Sequence, residues 1–423
     1  MLDRSQAPPL REVRRLELPD YRRHVLSNGI VLYEIDAGTQ AVFKLEVVFN
    51  AGRFQEHKRT VSRSCVRMLR EGTTDYDSEQ LAEQVDYYGG TLGTPGNLDY
   101  CGVVLYGLNK HFRKLLPYFE AAITQPTFPQ EELDTFIKES QQEIFLDKAK
   151  VDTVAYRVIT EAMFGSDHPY GYNSDVEDYA RLRREDLQEH FERNYVAGNC
   201  TLFLSGKVEP WMIAMLDEQL SRSVPAGYAA PLSFEMAPFE KRDIQIHHPK
   251  AQQTAIRMGR RLFNRHHRDY LGLSLVNALL GGYFGSRLMM NIREDKGYTY
   301  SIYSSLDTMR KDGYFMISTE VGNDFVEDTL TQIKLEMRRL REELVGPDEL
   351  YMLRNYLQGT LLNMIDGPFA SSEVIKTLKI EQLDDGYFER FAETIKTIDA
   401  ETIQRLADTY LREEDMYTVM VGL

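Results

Sequence analysis

Two stretches of this chain, about half its length apart, carry the same plan, and that duplication constrains the fold more than any other feature. Arg184 to Tyr195, REDLQEHFERNY, is followed by CTLFLSGKV; Ala400 to Tyr410, AETIQRLADTY, is followed by MYTVMVGL. Each reads as an amphipathic helix ending in tyrosine, a short turn and an apolar strand running to glycine. A chain of 423 residues has room for two full cores. The repeat therefore implies two copies of one α+β domain. Between the copies, SRSVPAGYAAPLSFEMAPFE (Ser221 to Glu240) is rich in Pro, Ala and Ser and reads as a linker. The expected division is an N-terminal arm over 1–21, a first domain over 22–220, a linker over 221–240 and a second domain over 241–423.

Within the first copy, Asn28-Gly29 is a hairpin-turn signal leading into a strand from Ile30 to Ile35. Val42 to Asn50 alternates well enough for one face to be buried. A short helix is predicted within Thr60 to Thr74, and a second starts at a Ser78 cap and stops at Gly89-Gly90. Strands near Gly90 to Gly93 and Tyr100 to Leu108 flank a Pro95-Gly96-Asn97 turn, and three helices then span Lys110 to Thr124, Gln130 to Ala149 and Thr153 to Phe164. In the second copy, IQIHHPKAQQTAIRMG reads as a strand pair. The Asn-Gly turn and the run of consecutive strands favour an antiparallel sheet with helices packed on one face over a parallel α/β sheet.

The formal charge of -15 argues against nucleic acid and anionic membrane as bulk partners. Three cysteines without a Cys-x-x-Cys pair argue against a disulfide framework or a structural zinc. The opening MLDRSQAPPLREVRRL lacks the apolar core of a secretory signal, and no stretch reaches membrane-spanning length. A soluble, cytoplasmic protein is expected.

Two segments carry the chemistry. In TVSRSCVRMLREGTT (Thr60 to Thr74), Val61, Cys65, Met68 and Leu69 lie at helical spacing. Arg63 and Arg67, four apart, share one helix face. In SRLMMNIREDKGYTYSIYS (Ser286 to Ser304), Ser286-Arg287-Leu288 is followed by Arg293 and, seven residues on, by Tyr300. The remaining candidates read as ordinary structure. His168 is a loop histidine without a second ligand nearby, the His247-His248 doublet lacks a ligand spacing, and GGYFGSRL is a helix end rather than a phosphate loop.

The first segment resembles the motif His-x-x-Glu-His-x-Leu-x-x-Gly-Thr of the insulinase/pitrilysin (inverzincin) zinc peptidases. Aligned on Leu69 and Gly72-Thr73, the histidine positions hold Arg63 and Arg67 and the glutamate position holds Val66. Guanidiniums stay protonated and offer no lone pair to zinc, and valine cannot act as a base. The two arginines are either a solvated face or a basic lining that holds an acidic or C-terminal group of a peptide. The family's third ligand, a glutamate seventy-six residues beyond the second histidine, falls on Glu143. That residue lies two helical turns beyond Phe136 and is therefore expected on the packed side of its helix, where it could pair with Arg63 or Arg67.

The second segment resembles the arginine-tyrosine pair of the family's second domains, here Arg293 and Tyr300. What the resemblance implies is a half clam-shell chamber of two homologous domains, closed by a second half-shell. The degenerate first motif and intact second one are similar to the processing-peptidase-like subunit that lacks catalytic residues. That implies a substrate-binding subunit of a heteromeric zinc endopeptidase, with no metal in this chain, zinc in a His-x-x-Glu-His partner, and Arg293 and Tyr300 acting in trans. A substrate strand would add to a sheet edge near Thr91 to Pro95, where Gly93 replaces the family's frequent asparagine. Two alternatives stand: a zinc-free scaffold like the core subunits of the bc1 complex, and a peptide-binding homodimer without proteolysis.

Overall fold

The computed structural model describes residues 16–229, 234, 240, 243–249 and 251–422. The arm expected over 1–21 lies outside the described residues as far as 15, and the linker read at 221–240 does so at 230–233 and 235–239.

The chain begins with β1 (Arg22–Val25), β2 (Val31–Asp36) and β3 (Val42–Phe49), followed by α1 (Val61–Met68) and α2 (Ser78–Tyr87). Next come β4 (Thr91–Gly93), β5 (Cys101–Leu108), α3 (Phe112–Thr124), α4 (Gln130–Asp147) and α5 (Val151–Phe164). The first copy ends with α6 (Val176–Ala180), α7 (Arg184–Asn194), β6 (Cys200–Gly206) and α8 (Pro210–Ser223). Helix α8 thus runs three residues into the stretch read as linker. The second copy has β7 (Asp243–His247), β8 (Gln253–Leu262), α9 (Tyr270–Asn277), β9 (Ile302–Thr308) and β10 (Gly313–Gly322). It closes with α10 (Val326–Glu342), α11 (Pro347–Met364), α12 (Gly367–Ile380), α13 (Tyr387–Thr397), α14 (Ala400–Tyr410) and β11 (Tyr417–Gly422).

The two sheets repeat one topology. Their strand orders are β1-β2-β6-β3-β5-β4 and β7-β11-β8-β10-β9, so β2, β6, β3, β5 and β4 match β7, β11, β8, β10 and β9 in turn. The fold is α+β with two homologous domains. Each sheet is antiparallel except for one pair, β2 with β6 and β7 with β11. The exception arises because each domain's last strand returns from a helix and inserts beside β2 in the first domain and β7 in the second. The insertion also separates β7 from β8, so the expected strand pair is two strands with β11 between them. Helix α2 is capped by Asp77, which accepts from the Gln80 amide at 2.8 Å, rather than by Ser78, its first helical residue.

One face of each sheet is covered by helices of its own domain, around Leu45, Val103 and Phe119 in the first and Ile256, Ile317 and Ile333 in the second. The opposite face is covered by a helix from the other domain. Helix α12 lies on β2 and β6, joining Ile375 and Ile380 to Ile35, Val48 and Phe203. Helix α5 lies on β8 and β11, joining Ala155, Ile159 and Met163 to Tyr417, Val419 and Val421. α5 and α12 are counterparts in the repeat, so the domains are locked by a reciprocal exchange. As a result β3 is buried on both faces rather than one, and Lys44 and Glu46, alternate residues facing α12, are each only 2 % exposed. Lys376 of α12 answers them, 2.7 Å from Glu46 and 2.7 Å from Glu373, while Lys44 lies 2.8 Å from Glu46 and also bonds Glu373. The matching position across the second sheet pairs buried Arg257 of β8 with Asp152 of α5.

Candidate functional site

Helix α1 forms because Val61, Cys65, Met68 and Leu69 bury one stripe completely against the first core. Its start is fixed by Glu56, whose carboxylate accepts from the Ser62 amide at 3.0 Å, the Ser62 hydroxyl at 2.6 Å and the Tyr172 hydroxyl. Burial raises the Glu56 carboxyl above its ordinary range, against the pull of the Ser62 and Tyr172 bonds. The Tyr172 ring is flanked by the Arg53 and Arg59 guanidiniums at 4.1 and 5.1 Å. The residue before the helix, Thr60, is left-handed (φ 72°), a conformation costly for a β-branched side chain, and its hydroxyl is buried with no partner among the described residues. Sequence reasoning missed Glu56 and Thr60, since neither lies in a motif frame.

The motif positions divide between surface and core. Val66 is 2 % exposed, so the position aligned with the family's base is filled by apolar packing. Arg63 and Arg67 project outward. The structure brings Arg63 to Glu143, Nη2 to Oε2 at 3.3 Å, with both side chains more than half exposed (58 % and 59 %). That corrects the packed placement expected for Glu143. The buried stripe of α4 is Leu133, Ser140 and Ile144, and Glu143 is one residue off it. A pair so solvated contributes little to stability.

Two histidines are held neutral by burial, and two cysteine thiols are held protonated. His168 is buried among Phe54, Phe164 and Tyr170, its Nδ1 accepts from the Tyr170 amide at 3.1 Å, and burial lowers its pKa to about 4. His190, fully buried beside the Ala51 carbonyl at 3.1 Å, is lowered to about 4 by the same cause. Burial pushes the Cys101 thiol up to about 12 and the Cys65 thiol well up. Among the described residues no group of three His, Cys, Asp or Glu side chains could hold a metal ion.

In the second segment, Ser286-Arg287-Leu288 is a packing unit. Ser286 and Leu288 are fully buried, and Arg287 grips Glu349 of α11 with two bonds at 2.7 and 2.8 Å. The preceding glycines turn the chain tightly against β9, where a Cβ on Gly281 would lie 2.6 Å from the Ser304 amide nitrogen. Arg293, on a wide helical turn over Met289–Asp295, sets its guanidinium 5.0 Å from the Phe284 ring centre and is about one-third exposed. Tyr300 stands two residues before β9 rather than at its first position, and 91 % of it is exposed. Its neighbours are tied down. The Tyr298 hydroxyl donates to Asp328 at 2.8 Å and its ring stacks on Phe325, while the Thr299 hydroxyl lies within hydrogen-bond distance of the Ser301 and Glu320 carbonyls at 3.0 and 2.8 Å. A pinned backbone thus holds an aromatic hydroxyl out into solvent. β4, with Gly93 at its end, lies at the free edge of the first sheet.

Residues 181–357 match the family described as peptidase M16 inactive domain. An uncharacterized zinc protease, YmxG of Bacillus subtilis, is 21% identical over 389 residues, 91% of this chain and 93% of that one. The probable beta subunit of the Arabidopsis thaliana mitochondrial-processing peptidase is 21% identical over 92% of this chain and 73% of its own. A protein of Helicobacter pylori named as a non-peptidase homolog is 20% identical over 64% of this chain and 66% of its own. Among solved structures, a peptidase M16 inactive domain from Pseudomonas fluorescens superposes with a TM-score of 0.89 at 23% identity, over 95% of this chain and 98% of that one. A chain of Complex III2 from Candida albicans superposes at 0.74 with 13% identity, over 95% of each. Among the described residues no helix is long and apolar enough to cross a membrane.

Proposed function

We propose, for a chain that belongs to the insulinase/pitrilysin (M16) family as an inactive-like member, a substrate-binding role in a heteromeric zinc endopeptidase. The chain is a peptidase homologue. In this reading it supplies no metal and no base. It completes the site of a partner that carries His-x-x-Glu-His. The domains are taken as 22–220 and 241–423, joined by 221–240, and together they form one half of the clam-shell.

The observation that carries the reading is the contrast between the two motif positions. Where the family places a base, Val66 is packed into the core, and where it places a tyrosine, Tyr300 is 91 % exposed on a pinned backbone. A hydroxyl held this way suits donation to an oxygen that gains negative charge as a peptide carbonyl is attacked. Arg293 suits a peptide carbonyl or carboxylate, which its fork of donors can hold. Zinc, held by the partner, would supply the activated water. The beta subunit of the processing peptidase, a relative over most of the chain, supports the assembled form. The non-peptidase homolog supports the competing reading, a scaffold without proteolysis.

Tyr300→Phe tests it. In a complex isolated through this chain, loss of the hydroxyl should lower turnover by roughly 100-fold or more, the scale of one lost oxyanion donor, with assembly unchanged. Unchanged turnover would refute the assignment.

A further inference from the structure

Tyr300 makes no hydrogen bond and no ring contact among the described residues. Its hydroxyl therefore goes where the backbone of residues 296–301 carries it. One side chain outside that segment grips it on the approach to Tyr300. Asp328, in the first turn of α10, accepts at Oδ2 from the Lys296 ammonium at 3.0 Å and from the Tyr298 hydroxyl at 2.8 Å. Its Oδ1 accepts from the Gln332 amide, one turn further along α10, at 3.0 Å, which keeps the carboxylate from turning. The bonds from Gln332, Lys296 and Tyr298 lower the Asp328 carboxyl to about 2, so it stays ionised. Gly297, between the two gripped residues, is left-handed (φ 69°), a conformation that suits glycine and turns the chain there.

The grip extends to the other motif residue. Gln332 also accepts from the Asn291 side chain at 3.2 Å, and Asn291 donates to Glu336 at 2.7 Å. Asp328, Gln332 and Glu336 are four residues apart and form one ridge along α10. The ridge thus holds the chain two residues before Arg293, at Asn291, and two residues before Tyr300, at Tyr298. Solvated bonds of this kind add little to stability. Their geometric value is larger, because an error of about 1 Å in a group that meets the substrate can cost roughly 100-fold in rate.

We propose that Asp328 is a positioning residue for Tyr300: by clamping Lys296 and Tyr298 to α10, it fixes where the tyrosine hydroxyl stands relative to Arg293. This role rests on the reading of Arg293 and Tyr300 as substrate contacts and adds the residue that sets their spacing.

Asp328→Asn keeps the size of the side chain but offers one acceptor oxygen in place of two. In the full chain, the amides of residues 296–301 should exchange hydrogen at least about tenfold faster, with β9 unchanged. In the complex isolated through this chain, kcat should fall by roughly 10- to 100-fold, with KM changed by less than about twofold. In a Tyr300→Phe background the same substitution should lower kcat by less than about twofold, because the hydroxyl it positions is gone. Tyr298→Phe, which removes one clamping bond, should show the same pattern at smaller size. Unchanged exchange would overturn the clamp, whatever the activity. Unchanged kcat where Tyr300→Phe lowers it, or equal losses in both backgrounds, would overturn the positioning role. If Tyr300→Phe itself leaves turnover unchanged, the substrate-contact reading falls and the role falls with it, while faster exchange would still establish the clamp.

Discussion

Replacing Lys376 by methionine should destabilise the whole chain by up to about 3–5 kcal/mol, more than the loss of a surface ion pair. The ammonium of Lys376 is 2.7 Å from a carboxylate oxygen of Glu46 and 2.7 Å from one of Glu373, and Lys44 serves the same two acids from the other side. Lys44 and Glu46 are only 2 % exposed, so water cannot replace a missing partner. Two cations and two anions balance; removing Lys376 leaves buried Glu46 with Lys44 as its one partner, while Glu373, 53 % exposed, turns to water, so the full cost of a broken buried pair is an upper bound. Breaking a buried pair from one side costs about 3–5 kcal/mol, whereas an exposed pair is worth about 0–1 kcal/mol. The assay is urea unfolding followed by circular dichroism. The double variant Glu46→Gln/Lys376→Met restores the balance, so its loss should fall short of the summed single losses by at least about 1 kcal/mol. A loss below about 1 kcal/mol for Lys376→Met, or strict additivity, would refute the view that this cluster is desolvated and locks the domains.

Thr60→Gly should leave the chain unchanged or stabilise it by up to about 1 kcal/mol. The left-handed backbone costs a β-branched residue about 1–2 kcal/mol, and the buried methyl returns about 0.8 kcal/mol; a clear fall in urea midpoint would contradict this. Glu56 has a raised carboxyl pKa in the fold, so its contribution is fully present below the unfolded value and is lost as pH rises through the folded one. Glu56→Gln should therefore gain melting temperature relative to the parent as pH rises, and a constant difference would argue against it. His190 is held neutral with its pKa lowered from 6.5 to about 4, so it adds stability above about pH 6.5 that is lost as pH falls through that window. The loss should reach about 3 kcal/mol, and in urea titrations across those pH values His190→Gln should flatten the slope; an unchanged slope would contradict it.

The architecture was legible where the chain repeats itself. Helix-tyrosine-turn-strand recurs at Arg184 and Ala400, and the matching strand orders follow from that duplication. The degenerate motif was equally legible, because Leu69, Gly72 and Thr73 keep its frame when Arg63, Val66 and Arg67 do not. The exchange of α5 and α12 was not legible. Lys44 and Glu46 alternate with Phe43, Leu45 and Val47, a pattern that normally means one face in water; only a charged helix distant in sequence turns that face into an interface. Glu143 was misplaced for a related reason: Phe136 alone does not fix a helix face, and Ile144 claims the packed position. Glu56 and Tyr172, which set the start of α1, are joined by a contact 116 residues long in sequence, and no local pattern encodes it.

The most direct test of the central claim is a peptidase assay, with and without chelator, on material isolated natively through this chain and on the chain alone. The account predicts chelator-sensitive cleavage that follows a co-eluting His-x-x-Glu-His chain, with neither zinc nor cleavage in the isolated chain. One tight zinc in the isolated chain, or a native assembly without any such partner and without activity, would contradict it.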